Sequence, residues 1–186
     1  MERGVAQPGS APASGAGGRW FKSSRPDQSF MVHIGVVGGG TSAPSVLQFA
    51  EEVGRRIASA GGILVCGGLG GVMEASARGA REVGGLTVGI LPGDDGGEAN
   101  PFIDIRIVTD LGHARNVVVV RSSNAMIALP GEHGTLSEIA LALKIGVPVV
   151  GLGGWSHLTE VVTAATPEEA VSRAFAMARR EHVPVR

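Results

Sequence analysis

ALPGEHGTLSEIALAL (Ala128–Leu143) runs from the end of an apolar segment, through a proline and two glycines, into a helical pattern. The spacing predicts a buried strand over NAMIALPG (124–131) and a helix over Thr135–Ile145, with Glu138 in its first turn. A strand followed by glycines and a helix start leaves backbone N–H groups unpaired at the positive end of a helix dipole. Such groups suit a phosphate or a carboxylate.

The same joint recurs along the chain. VHIGVVG (32–38) reads as a buried strand, followed by a helix over Pro44–Ala60 with Pro44 in its first turn and Ser42 as a candidate cap. GGILVCGG (61–68) is the next strand, GVMEASARGAREVG (71–84) the next helix and LTVGILPG (86–93) the third strand. FIDIRIVTD (102–110) reads as a strand near a sheet edge. A helix around His113–Ser122 leads into NAMIALPG, and the Thr135–Ile145 helix into VPVVGLGG (147–154). VVTAA (161–165) and a helix over Pro167–Glu181 complete the pattern. Alternating helices and continuously apolar strands predict an α/β fold, a Rossmann-like parallel sheet with helices on both faces. Ligands in such sheets sit outside the carboxyl ends of the strands. Glycine concentrates there: Gly38–Gly40, Gly67–Gly71, Pro92–Gly93, Pro130–Gly134 and Gly151–Gly154.

The bulk numbers set bounds. A chain of 186 residues, 44% hydrophobic, suits one globular domain with a sizeable core. Its formal charge of -1 and its two lysines, Lys22 and Lys144, offer no basic surface, so neither a nucleic-acid nor a membrane partner is expected. The single cysteine, Cys66, excludes an intrachain disulfide framework and fits a reducing, cytoplasmic setting. No apolar run approaches the roughly 20 residues of a membrane span, and no signal peptide is evident. Residues 1–30 are rich in Gly, Ser, Pro and Ala and carry neither period, so they read as a disordered tail, with residues 31–186 as a single domain. RWFKSSRPDQ (19–28) back-translates to codons resembling the 3′ part of a tRNA gene, and VAQPGSAPAS (5–14) to its D-arm region. Translation is therefore expected to start at Met31.

Several chemistries are disfavoured. GGGTSA (38–43) matches G-x-G-x-x-A, but the second strand ends in VCGG, without the acid a dinucleotide ribose needs. There is no phosphate-binding loop of the G-x-x-x-x-G-K-[ST] type, no cluster with metal-ligand spacing and no G-x-S-x-G elbow. His113 and His133 are isolated and read as loop or solvated residues. Cys66 lies inside an apolar strand and reads as a buried, inert thiol. Thr135-Leu-Ser-Glu138 also fits a capping box, T-x-x-E, a purely structural role.

CGGLGGVMEASARGA (66–80) and LPGEHGTLSEIALAL (129–143) carry a resemblance. The chain resembles the LOG (Lonely Guy) family, once labelled possible lysine decarboxylases, and more closely its small bacterial, DprA-related, Rossmann-fold members. The likeness covers Val32 to about Gly153. The family signature P-G-G-x-G-T-x-x-E stands as Pro130, Gly131, Glu132, His133, Gly134, Thr135, Leu136, Ser137 and Glu138. The upstream glycine element, shifted by one residue, covers Gly67, Gly68, Gly70, Gly71 and Met73. The family's arginine, fifteen residues before the proline, falls on Arg115.

The resemblance implies a phosphoribohydrolase that cleaves the N-glycosidic bond of a purine nucleoside 5′-monophosphate, AMP being the simplest. It implies catalytic roles for Arg115 and Glu138. It places phosphate and nucleotide binding on Gly68, Gly70, Gly71, Met73, Pro130, Gly131, Gly134 and Thr135. No metal or other cofactor is required, and a homodimer with helices at its interface is expected, which would also accommodate the β-branched run Val117–Val120. Lysine decarboxylation finds no lysine at a plausible site. Glu132 replaces the second motif glycine and sets a negative side chain beside the phosphate cradle. That departure keeps open a second function, a non-catalytic carrier or binding protein for a nucleotide or phosphorylated cofactor, like the related molybdenum-cofactor carriers. A DNA-handling role by analogy with DprA is a third, disfavoured by the charge.

Overall fold

A computed structural model describes residues 31–180. The disordered tail and the alternative start expected for residues 1–30, and Glu181 at the end of the last expected helix, lie outside the described residues. The elements are β1 (His33–Val37), α1 (Pro44–Ser59), β2 (Ile63–Cys66), α2 (Val72–Glu82), β3 (Thr87–Leu91), β4 (Ile105–Val108), a short 3-10 turn (Gly112–Arg115), α3 (Asn116–Arg121), β5 (Ala125–Ala128), α4 (His133–Ile145), β6 (Val149–Leu152), β7 (Val162–Ala164) and α5 (Pro167–Arg180).

The seven strands form one sheet in the order β4-β3-β2-β1-β5-β6-β7. Every pairing is parallel. This is the expected α/β architecture. Strand side chains alternate between faces, as the two-residue repeat dictates. Ile34, Val36, Ile127 and Leu129 join the core layer that includes residues of α1, α2 and α5. Val37, Met126 and Ala128 join Val119 and Val120 of α3 and Ile139 of α4 on the other face. The central strands are buried on both faces, which is why they read as unbroken apolar runs. β4 is an edge strand, and all four of its residues are exposed.

Three local expectations change. Ser42 does not cap α1. Ala43 holds the N-cap position and Pro44 opens the helix, while the Ser42 hydroxyl donates to the Gly39 carbonyl at 3.4 Å. The helix expected from His113 begins as a 3-10 turn and becomes α-helical only at Asn116. Within it Val119 and Val120 are buried inside this same chain, so these two valines need no second copy to explain them.

The third change concerns α4. It starts at His133, two residues early, with Glu132 as its N-cap and no side-chain cap bond. Thr135 therefore stands inside the first turn, where it cannot cap, and Glu138 lies in the second turn. The capping box does not form, and the Glu138 carboxylate is released from that structural task.

Candidate active site

Strand order reverses direction at β1, whose neighbours are β2 and β5. The loops leaving their carboxyl ends diverge there, and a crevice opens. It has a volume of about 400 Å3. Val36 and Val37 of β1 form part of its lining, with the loop Gly38–Thr41 beside them. Gly67 and Met73 border it from the β2–α2 side. His113, Arg115 and Asn116 face it from the 3-10 turn and the start of α3. Glu132, Gly134, Thr135 and Glu138 face it from α4.

Arg115 and Glu138, drawn from separate elements, meet in this crevice. Arg115 Nη1 lies 3.6 Å from Glu138 Oε1, an ion-pair contact longer than a hydrogen bond. The residues are only 7% and 6% exposed. Gly67 makes the approach possible, because a Cβ there would run into the Arg115 guanidinium. Burial disfavours both charges. It pushes the Glu138 carboxyl up from 4.5 to about 7, against the pull of Arg115. It also holds the Arg115 guanidinium below its usual value, with Glu138 opposing. Cys66 lies behind the pair. Its thiol is buried, pushed up to about 11 by desolvation, and receives the Gly68 N–H at 3.4 Å.

The raised Glu138 value has a sign for stability. The unfolded carboxyl ionises as pH rises through 4.5, whereas the folded one holds its proton until about 7. Folding stability from this group is thus greatest at low pH, declines from 4.5 to 7, and is flat above that. Glu138→Gln removes the titration. Relative to the native protein, the variant should gain about 3 kcal/mol between pH 4.5 and pH 8. Urea titrations at the two pH values measure this, and an unchanged difference between the proteins would refute the buried-carboxyl reading.

The remaining residues singled out by sequence divide into two groups. Met73, Gly134 and Thr135 line the crevice. Gly68, Gly70, Gly71, Pro130 and Gly131 do not line it and instead shape the loops around it. The Pro130 carbonyl accepts the Gly39 N–H at 3.0 Å, tying the β5 and β1 loops together. Gly71 has a positive φ of 66° and sits where a Cβ would strike the carbonyl oxygens of Gly39 and Gly40. The Gly39 carbonyl also accepts the Val72 N–H at 3.0 Å. Gly131 is packed against Thr135 and Gly39.

The first-turn N–H groups of α4, at His133, Gly134 and Thr135, have no intrahelical acceptor. Glu132, the residue out of keeping with the motif, is exposed and borders the crevice at that end. Gly38–Gly40, expected at the ligand edge as a glycine run, line the crevice with Thr41, and His113, expected as a loop or solvated residue, borders it too; Asn116 is the lining residue the sequence did not single out. No group of three His, Cys, Asp or Glu among the described residues is arranged to hold a metal.

Residues 31–182 match the SLOG cluster4 family. The chain belongs to that family. SLOG cluster4 membership agrees with the LOG-type signature and with the sheet. An uncharacterized protein of Archaeoglobus fulgidus is 49% identical over 142 residues, 76% of this chain and 93% of its relative. A cytokinin riboside 5′-monophosphate phosphoribohydrolase of Mycobacterium tuberculosis is 39% identical over 122 residues, 60% of this chain and 65% of the enzyme. Among solved structures, the molybdenum cofactor binding protein of Rippkaea orientalis is similar with a TM-score of 0.76 and 39% identity, over 79% of this chain and 97% of that one. The SLOG cluster4 chain therefore has relatives named for catalysis and relatives named for binding. No helix among its described residues is long and apolar enough to cross a membrane.

Proposed function

We propose that this crevice binds a purine nucleoside 5′-monophosphate, with AMP the simplest case, and hydrolyses its N-glycosidic bond to the free base and ribose 5-phosphate. The observation that carries the reading is the buried Arg115–Glu138 pair, 3.6 Å apart, opening into a crevice bordered by helix N–H groups. As the C1′–N bond breaks, its electron pair leaves with the base and positive charge grows on the ribose. The ionised Glu138 faces that charge and takes a proton from the water that attacks C1′, then gives that proton up as the departing base is protonated to its neutral form. Arg115 offsets the negative charge gathered by the departing base. The N–H groups of Gly134 and Thr135 and the Gly40–Thr41 loop hold the 5′-phosphate by direct dipole contact, with no metal or cofactor required.

Two observations favour a second reading. Glu132 sets a carboxylate at the proposed phosphate cradle, and the similarity to the molybdenum cofactor binding protein spans 97% of that protein against 65% of the phosphoribohydrolase. In that reading the crevice carries a nucleotide or a phosphorylated cofactor without turning it over. Incubation with AMP, followed by chromatography, separates the two. Adenine and ribose 5-phosphate in equal amounts are expected, whereas tight AMP binding with no adenine would overturn hydrolysis in favour of carriage. A single working domain over residues 31–186, a homodimer, a cytoplasmic setting and no nucleic-acid partner complete the proposal.

A further inference from the structure

Asn116 follows Arg115 and is buried beside it. Its Oδ1 accepts a hydrogen bond from Arg115 Nη1 at 3.1 Å, and its Nδ2 donates to Ser137 Oγ at 3.2 Å. The Ser137 hydroxyl donates onward to the Gly134 carbonyl at 2.7 Å. Ser137 is the residue before Glu138, so the ring closes through the backbone of α4 and back across the 3.6 Å contact to Arg115. Only one orientation of the Asn116 amide suits both neighbours. A guanidinium has donors only, so it needs the amide oxygen, which leaves the amide nitrogen for Ser137. Flipping the amide would set NH2 against the guanidinium.

We infer that Asn116 and Ser137 are positioning residues that fix the Arg115 guanidinium against Glu138, with the Ser137 hydroxyl setting the orientation of the amide. The inference deepens the hydrolytic reading and rests on it for its effect on turnover. Its geometric part concerns the free protein and stands apart from that reading. Two long charged side chains in a crevice have many rotamers, and a 3.6 Å approach without a shared hydrogen bond does not hold them. The neutral bridge does so without adding charge. The charged or titratable groups facing Glu138 are Arg115 and His113 from the 3-10 turn, Glu132 from the start of α4, and Cys66 from β2 behind the pair.

Ser137 is exposed, so its hydroxyl can be removed without opening the core. Ser137→Ala takes away the acceptor for the amide, loosens Arg115, and weakens the pull that keeps the Glu138 carboxyl from rising further. In free protein labelled with 13C at glutamate carboxyls, the Glu138 titration should move up by about half a unit or more. With AMP, kcat should fall about tenfold while KM changes little. Ser137→Thr restores the hydroxyl and should return both quantities to native values. A Glu138 titration unmoved in Ser137→Ala, or a Ser137→Thr protein that behaves like the alanine variant, overturns the positioning role. If the native protein releases no base from any nucleoside monophosphate, the hydrolytic reading fails, and the titration still decides the geometry.

Discussion

Glu138→Gln should lower adenine release from AMP by about a thousandfold while leaving AMP affinity within a few-fold of native. The amide keeps the size of the carboxyl group and fills the same place in the second turn of α4. It cannot face developing positive charge as an anion, nor accept the proton of an attacking water. Under the proposed function, turnover by the native protein should be governed by the same group. Because burial raises the Glu138 carboxyl to about 7, kcat/KM for AMP should climb with pH through that value and level off above it. Below about 7 the carboxyl is protonated and the base is missing. A profile flat across neutrality, or a glutamine variant with native turnover, would remove Glu138 from the chemistry. Isothermal titration with AMP supplies the binding half of the comparison.

The second large effect belongs to the crossing of α1 and α2. These helices pack backbone to backbone. A Cβ on Gly54 would run into the carbonyl oxygen of Ser76, and a Cβ on Gly79 into that of Glu51. No side-chain end stands there to swing aside, so a single methyl group must separate the two helices. Gly54→Ala or Gly79→Ala is expected to cost about 3 kcal/mol or more. For a chain of this size that lowers the melting midpoint by about 6–12 °C. Gly70→Ala is the comparison, because a Cβ there meets nothing closer than 3.9 Å and its midpoint should barely move. If both helix variants melt with Gly70→Ala, the crossing is not the tight contact described. The effect also reaches the crevice, since α2 begins beside the Gly39 carbonyl and presents Met73 to the ligand space. The Arg78–Glu51 ion pair over the same crossing lies near solvent and adds little.

The sheet was readable because its cause is local. Strands buried on both faces must be apolar throughout, and the chain must turn at glycines between them. The motif around Glu138 and the arginine fifteen residues upstream of Pro130 were equally visible. The start of α4 was not, because Glu132 caps it without a side-chain bond and leaves no familiar signature. Asn116 carried no signal either, since its meaning depends on a serine 21 residues away. The glycine run Gly38–Gly40 was legible as part of the ligand edge, but that it faces α3 and α4 follows from β5 lying beside β1, a neighbour relation no local pattern encodes. The valines of α3 pointed towards a partner subunit when two of them serve this chain's own core.

The insertion of β1 between β2 and β5 has a consequence for how the molecule comes into being. His33 and Asn124, 91 residues apart, exchange hydrogen bonds where the two strands begin to pair. During synthesis the first four strands can associate while one side of β1 waits, bare and apolar, for a segment the ribosome has yet to deliver. Such delayed closure slows folding and leaves an adhesive border exposed to other nascent chains. The crevice is bounded from both sides of that seam, so nothing can be recognised there until the late half docks. Any ligand of the crevice then selects finished molecules over unfinished ones and draws the last folding step towards completion.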